Sequence, residues 1–176
     1  IIPSKGLAWL YSYGITDEEI KRYGFCFSPN WNRLILPVYK DEELVYFQAR
    51  TLGTPSKQNP KYLNMRGDKT HMFEVNVPGQ TSVVIVEDIL SAIKVGRCTN
   101  SKALLGSYIG TALTVLAKHY NKIFIWLDDD KRMESIKYAR HLSSLTGVAV
   151  RVVNTPKDPK CYNQDQIRRI LCKEKQ

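Results

Sequence analysis

The chain has little of what marks several common classes of protein. Its four cysteines, Cys26, Cys98, Cys161 and Cys172, form no CxxC pair, and there are only three histidines, none at ligand spacing from them. That pattern excludes a zinc ribbon or finger and offers no disulfide framework; reduced thiols in an intracellular protein are expected. No apolar run approaches the roughly 20 residues that a membrane helix needs, and no charged-then-apolar leader opens the sequence. A soluble, cytoplasmic chain with no membrane partner is the expectation. There is no internal repeat, no low-complexity tract and no GxxxxGK[ST] loop. An initiator methionine is missing too: "IIPSKG" reads like the middle of a longer polypeptide, with flanking domains expected outside it.

What is present is enough apolar material, 43% of 176 residues, for one sizeable core or a core with a smaller lobe attached. The net charge is +9, a balance that suits a polyanionic partner. It is unevenly spread. Residues 1–80 hold ten Lys and Arg against eight Asp and Glu, whereas residues 81–176 hold sixteen against nine. The more basic half nevertheless contains an acidic cluster, "LDDDKR", at residues 127–132. A basic surround with an acidic centre suits an enzyme that acts on phosphates through metal ions, since cations hold the polyanion and carboxylates hold the metal.

Two textures divide the chain. From Ser82 onward, short β-branched runs alternate with amphipathic ones: strands are predicted at 82–87, 103–106, 122–128 and 148–154, and helices at 88–97, 111–120, 132–147 and 164–173. Four such units predict a parallel sheet with helices on both faces. In the longest helix Met133, Ile136, Ala139, Leu142 and Leu145 recur in three-residue steps and are expected to form the buried face. Before Ser82, the T-x-x-E spacing of Thr16 and Glu19 predicts a capped helix. "RLILPVY" and "LVYFQAR" flank the polar "KDEE" and predict a β-hairpin, with Pro37 favouring an edge strand. "TPSKQNP", residues 54–60, reads as a loop. The expected organisation is a smaller α+β lobe over residues 1–80, then an α/β lobe over 81–176, joined near Pro78 to Thr81.

Asp128, Asp129 and Asp130 follow the apolar run "IFIWL" directly. Continued as a strand, that spacing puts Asp128 and Asp130 on one side and Asp129 on the other. Two such charges about 4 Å apart repel by roughly 4 kcal/mol at an effective dielectric near 20, so the pair must splay, take up a proton or hold a cation. Glu87 ends the first apolar strand of the same half. If the two strands are neighbours, a third carboxylate reaches the same carboxyl edge, and hard oxygen donors in that number suit Mg²⁺ or Mn²⁺. By spacing alone the aspartates equally fit the start of a helix near Arg132, and a D-x-D after a strand also occurs in phosphatases, glycosyltransferases and receiver domains.

The combination is more specific. "VVIVEDILSAIKVGR", "ALLGS" and "IFIWLDDDKR" together resemble the TOPRIM domain shared by DnaG-type primases, type IA and II topoisomerases and some nucleases. Glu87, Gly106, Asp128 and Asp130 fall where that family has its strand-ending Glu, its small-residue turn and its D-x-D. In the first half, "RLILPVYKDEELVYFQARTL" followed by "NPKYLN" is similar to the DnaG-type preface, and "KDPK" at 157–160 matches that family's Asp-Pro element. The resemblance extends over roughly residues 7–172.

It implies a DNA primase RNA-polymerase core making short RNA primers on single-stranded DNA by two-metal nucleotidyl transfer. A ribonucleotide 3′-hydroxyl attacks the α-phosphate of an incoming ribonucleoside triphosphate and pyrophosphate leaves. Glu87, Asp128 and Asp130 are implied as the catalytic metal ligands for Mg²⁺ or Mn²⁺, with Asp158 as a further acidic contributor. Arg50, Lys61, Tyr62 and Asn64 are implied to line the nucleotide and template pocket; Lys61 taken alone fits a solvated loop as well. A replicative helicase, fused or separate, is an implied partner. The sequence departs from the bacterial pattern at Asp88 and Ser91, where Gly and Asp are usual, and at Lys131 to Met133, where a small pair is lost. Asp88 is a candidate replacement ligand, and the drift points to a phage or plasmid relative. A TOPRIM nuclease using the same carboxylates, and a non-catalytic nucleic-acid-binding module, are the alternatives.

Overall fold

In the computed structural model, which describes residues 1–66, 72–106 and 119–173, the chain divides into two compact units, Ile1–His71 and Met72–Gln176. The first unit opens with helices α1 (Ser4–Ser12) and α2 (Asp17–Arg22). The predicted capping box starts α2: Thr16 Oγ1 accepts from the Glu19 N–H at 3.2 Å, and Glu19 Oε2 accepts from the Thr16 N–H at 3.0 Å. Acidic residues fill its first turn and Lys21 and Arg22 its last, complementing the helix dipole.

Four antiparallel strands follow, β1 (Cys26–Ser28), β2 (Arg33–Lys40), β3 (Glu43–Thr51) and β4 (Tyr62–Asn64), in the spatial order β1-β2-β3-β4. The expected hairpin is β2–β3. Its two-residue connection, Asp41-Glu42, has positive φ at both positions, the backbone that matches strand twist in a tight hairpin. Pro37 was expected on an edge strand, yet β2 is interior. The tolerance is local: β1 pairs only with Arg33 to Ile35, so Pro37 lies beyond that ladder. Leu34, Leu36 and Val38 alternate along β2 as buried residues. The 54–60 loop is pinned by buried Arg33, whose guanidinium donates to Pro60 O at 2.9 Å and Asn59 Oδ1 at 2.6 Å, and to Ala49 O at 3.0 Å.

The second unit contains β5 (Phe73–Val75), β6 (Ser82–Val86), α3 (Ile89–Gly96), β7 (Asn100–Ala103), β8 (Lys122–Ile125), α4 (Arg132–Thr146), β9 (Ala149–Val152) and α5 (Gln164–Lys173). The sheet order is β5-β7-β6-β8-β9, with β7, β6, β8 and β9 parallel and β5 antiparallel on the β7 edge. The unit thus begins at Met72, ahead of the join read from composition, because β5 is recruited by β7. Both faces are covered. Leu142 of α4 packs with Val83, Ile85, Ile123 and Ile125. On the opposite face, in register with Val84, Ser101 Oγ donates to Ala92 O of α3 at 2.6 Å.

Three local expectations are corrected. The second strand of this half is Asn100–Ala103 rather than residues 103–106, because its hydrophilic "NSKA" is nonetheless buried, with Lys102 paired to Glu74 across the β5–β7 ladder at 2.7 Å. On α4 the buried positions are Ser135 and Leu142, with Tyr138 and Ala139 partly so, while Met133 and Leu145 are 67% and 53% exposed. Three-residue steps on a helix of 3.6 residues per turn drift by about 60° each, so the ends of the series rotate out of the core. Third, β8 ends at Ile125, before the aspartates. The helix predicted at 111–120 lies largely outside the described residues. α4 stops where it was expected to, at Gly147, whose φ of 67° is the left-handed C-terminal cap that glycine adopts without a Cβ penalty.

Candidate functional site

The strand order places a switch point in the parallel sheet: from β6 the chain moves to β7 on one side, then returns to β8 on the other. In open α/β sheets the crevice beyond the carboxyl ends of two such strands is where ligands bind. Glu87 and Asp88 leave β6 there, and Asp128 follows β8. Glu87 is anchored through its backbone, its carbonyl accepting from Leu105 N–H at 2.9 Å while Val86 O accepts from Leu104 N–H at 2.9 Å. To make that turn Leu105, buried at 4% exposure, takes a φ of 56°, with Gly106 at 75°. A left-handed leucine costs on the order of 1–2 kcal/mol, held by the surrounding packing.

Asp88 caps α3: its Oδ1 accepts from Ser91 N–H and its Oδ2 from Ser91 Oγ, both at 3.0 Å. Asp158 precedes a single 3₁₀ turn, Pro159–Cys161, that packs against α3. One oxygen each from Asp88, Asp128 and Asp158 lies within 4.8 Å of the others, and all three residues are half-buried.

Asp128 carries the electrostatic stress of this edge. Among the described residues its Oδ1 is buried without a hydrogen-bond partner. Burial first, then the neighbouring Asp158 charge, push its carboxyl up to about 6; Lys160 works against the shift, and Asp88 and Glu87 add to it. Lys160 Nζ donates to Asp88 Oδ2 and to Asp158 Oδ2, each at 2.8 Å. Burial disfavours that ammonium, but the charge of Asp88 and the two hydrogen bonds outweigh it and hold the group above its ordinary range. Lys131 Nζ donates to Glu87 Oε1 at 2.6 Å, a bond that raises the lysine's pKa.

Of the residues expected from sequence, Asp128 and Asp158 are brought together, and Glu87 stands at the same edge, engaged by Lys131. Asp130 is not in the cluster. Because β8 ends early, Asp129–Lys131 coil into a 3₁₀ turn, strand alternation lapses and Asp130 is exposed. Asp88 takes a place in the cluster instead. Lys131 and Lys160 had no expected role, although "KDPK" places a lysine two residues after Asp158. Three hard oxygen donors, one with an orphaned buried atom, fit Mg²⁺ or Mn²⁺.

In the first unit, Arg50 and Tyr62 are cross-strand partners on β3 and β4. The Arg50 guanidinium lies 4.2 Å from the Trp9 ring centroid and donates to Tyr62 Oη at 3.3 Å. Exposed Lys61 is 5.8 Å from the Tyr62 ring. Asn64 lines a cavity of about 430 Å³ together with Trp31, Phe47 and Arg66. Among the aromatics Tyr46 is core, at 3% exposure, whereas Trp31 is 55% exposed.

No known family profile matches the sequence, and no curated protein matches it. Solved structures do match. The DnaG catalytic core aligns with a TM-score of 0.74 at 14% identity, over 97% of this chain and 73% of that one. The DnaG primase catalytic domain bound to ssDNA aligns at 0.70 and 15% identity, over 94% and 70%. The primase fragment of the bacteriophage T7 primase-helicase protein aligns at 0.62 and 14% identity, over 95% and 73%. The chain has the mixed α/β fold of the DnaG catalytic core.

Proposed function

We propose that the chain is a DNA primase core, a DNA-directed RNA polymerase that makes short RNA primers on single-stranded DNA. The observation that carries this reading is the convergence of Asp88, Asp128 and Asp158 at the switch point of a sheet with the fold of the DnaG catalytic core. The second unit is then the TOPRIM lobe and the first the smaller lobe of the core. Similarity to a DnaG domain bound to ssDNA and to a primase-helicase fragment supports a single-stranded template, with a replicative helicase as partner.

Asp128 and Asp158, with Asp88, hold the divalent ion, Mg²⁺ or Mn²⁺. Glu87 supports them from the same edge, and Asp130, outside the cluster, is an exposed carboxylate two residues after Asp128. When bound, the ion polarises the phosphoryl oxygens and lowers the pKa of the attacking 3′-hydroxyl. Arg50, Lys61, Tyr62 and Asn64 bind the triphosphate and template, the guanidinium as a planar fork and the ammonium as a point charge. Trp9 and Tyr62 hold the Arg50 guanidinium in place, which lowers the entropy lost on phosphate binding.

The test is incubation with ribonucleoside triphosphates, Mn²⁺ and a mixed single-stranded template. Short RNA is expected from the wild type and at least a 100-fold loss from soluble Asp128→Asn, on the order of what one electrostatic contributor supplies. RNA synthesis at wild-type rate by that variant would sink the assignment. Metal-dependent cleavage of DNA without nucleotides would favour the nuclease.

A further inference from the structure

Two lysines stand where the charge of a metal site is densest. Lys160 Nζ sits between Asp88 Oδ2 and Asp158 Oδ2, 2.8 Å from each, with its side chain 16% exposed. Lys131 Nζ lies 2.6 Å from Glu87 Oε1, that carboxylate being 16% exposed. Neither contact resembles a loose surface pair. Each ammonium is lodged on a carboxylate of the edge that faces Asp128, and Lys160 joins two of the three cluster members.

The charge count follows. Glu87, Asp88, Asp128 and Asp158 contribute four negative charges, and Lys131 and Lys160 return two positive ones. The remainder of −2 equals one divalent cation. Without the lysines the same four carboxylates would balance two. The orphaned atom, Asp128 Oδ1, is on the carboxylate that neither lysine engages in a hydrogen bond. A divalent ion arriving at this edge finds Asp128 Oδ1 open and one oxygen each of Asp88 and Asp158 shared with the Lys160 ammonium.

We propose that Lys131 and Lys160 are resident cations that take over the charge of one metal ion, so that the Asp88, Asp128 and Asp158 site binds a single divalent ion rather than two. The inference rests on the primase reading for the existence of a metal site, and it specifies that site's occupancy and selectivity. Affinity for the ion is set by the number of uncompensated carboxylates, so the lysines also weaken binding.

The test is Mn²⁺ titration of the full chain, read as bound ions per chain by electron paramagnetic resonance, with circular dichroism as the folding control. Wild type should bind one Mn²⁺. Lys160→Met should bind that ion about tenfold more tightly, and Lys131→Met/Lys160→Met should bind two. Lys160→Arg, which keeps the charge, should bind one ion at wild-type affinity. If Lys160→Met is poorly folded, Lys131→Met, at the more exposed lysine, gives the same readout at Glu87. Two ions in the wild type, or Mn²⁺ affinity unchanged on removing either lysine, overturns the proposal and leaves the primase reading standing. No Mn²⁺ bound by wild type or by either lysine variant overturns both.

Discussion

At the scale of single residues, Asp128 concentrates the consequences. Its carboxyl titrates near 6 in the folded protein, above the unfolded aspartate value near 4. The folded state therefore binds that proton more tightly, and the metal-free protein gains from it below about pH 4 and loses the gain as pH rises through about 6. Metal-free thermal unfolding should accordingly show a midpoint that falls between pH 4.5 and 7, and Asp128→Asn should flatten that slope. Binding of Mn²⁺ runs the other way, since the ion competes with the proton. Affinity should rise with pH up to and just beyond about 6, then level off. An Mn²⁺ affinity indifferent to pH across that interval would contradict a role for Asp128 as ligand.

Among elements, α3 matters most, because Asp88 is its N-cap and its last turn rests on the sheet. All eight of its residues are buried. At Gly96 a Cβ would fall 2.5 Å from Val75 Cγ1 of β5, a separation side chains do not adopt. Gly96→Ala should therefore cost about 1–3 kcal/mol through overpacking, read as a lower urea midpoint. Val75→Ala in the same chain should recover part of the loss, and an unchanged midpoint in Gly96→Ala would show that β5 gives way. The β3–β4 pair offers a second element-level case. Arg50 is set by β-register opposite Tyr62 and by the ring of Trp9, so Arg50→Ala should weaken single-stranded DNA binding while leaving the fold unchanged.

For the whole molecule, the uneven charge is the leading fact. Residues 81–176 carry a net +7, yet their most buried acidic groups converge on one sheet edge. A cationic chain that binds single strands releases counterions, so affinity should fall with salt along a log–log line. Arg50→Ala should lower the slope by roughly 0.7 if it contacts one phosphate. Binding independent of salt between 50 and 200 mM would argue against the nucleic-acid reading.

Much of the fold was legible because it follows from local chemistry. The T-x-x-E at Thr16, the two β-branched runs around "KDEE" and the αL glycine at 147 each act within a few residues, where hydrogen bonds and φ preferences are decided. Glu87 and Asp128 were legible as strand-end carboxylates for the same reason. What could not be read depended on neighbours distant in sequence. "NSKA" is hydrophilic and becomes a strand because β5 and β6 flank it and Glu74 meets Lys102. Asp130 shares a side with Asp128 only in a strand that continues past Ile125, and β8 ends there.

The sequence by itself determined that this is an α+β segment followed by βα units, and that carboxylates follow two apolar strands in a basic chain. Only the tertiary structure decided which carboxylates meet. Strand order brought β6 beside β8, the early end of β8 turned Asp130 away, and the turn after Asp158 carried Lys160 back to Asp88, 72 residues earlier. Those are matters of register and strand order, set by long-range packing, whereas periodicity and capping are short-range and so already present in the order of the residues.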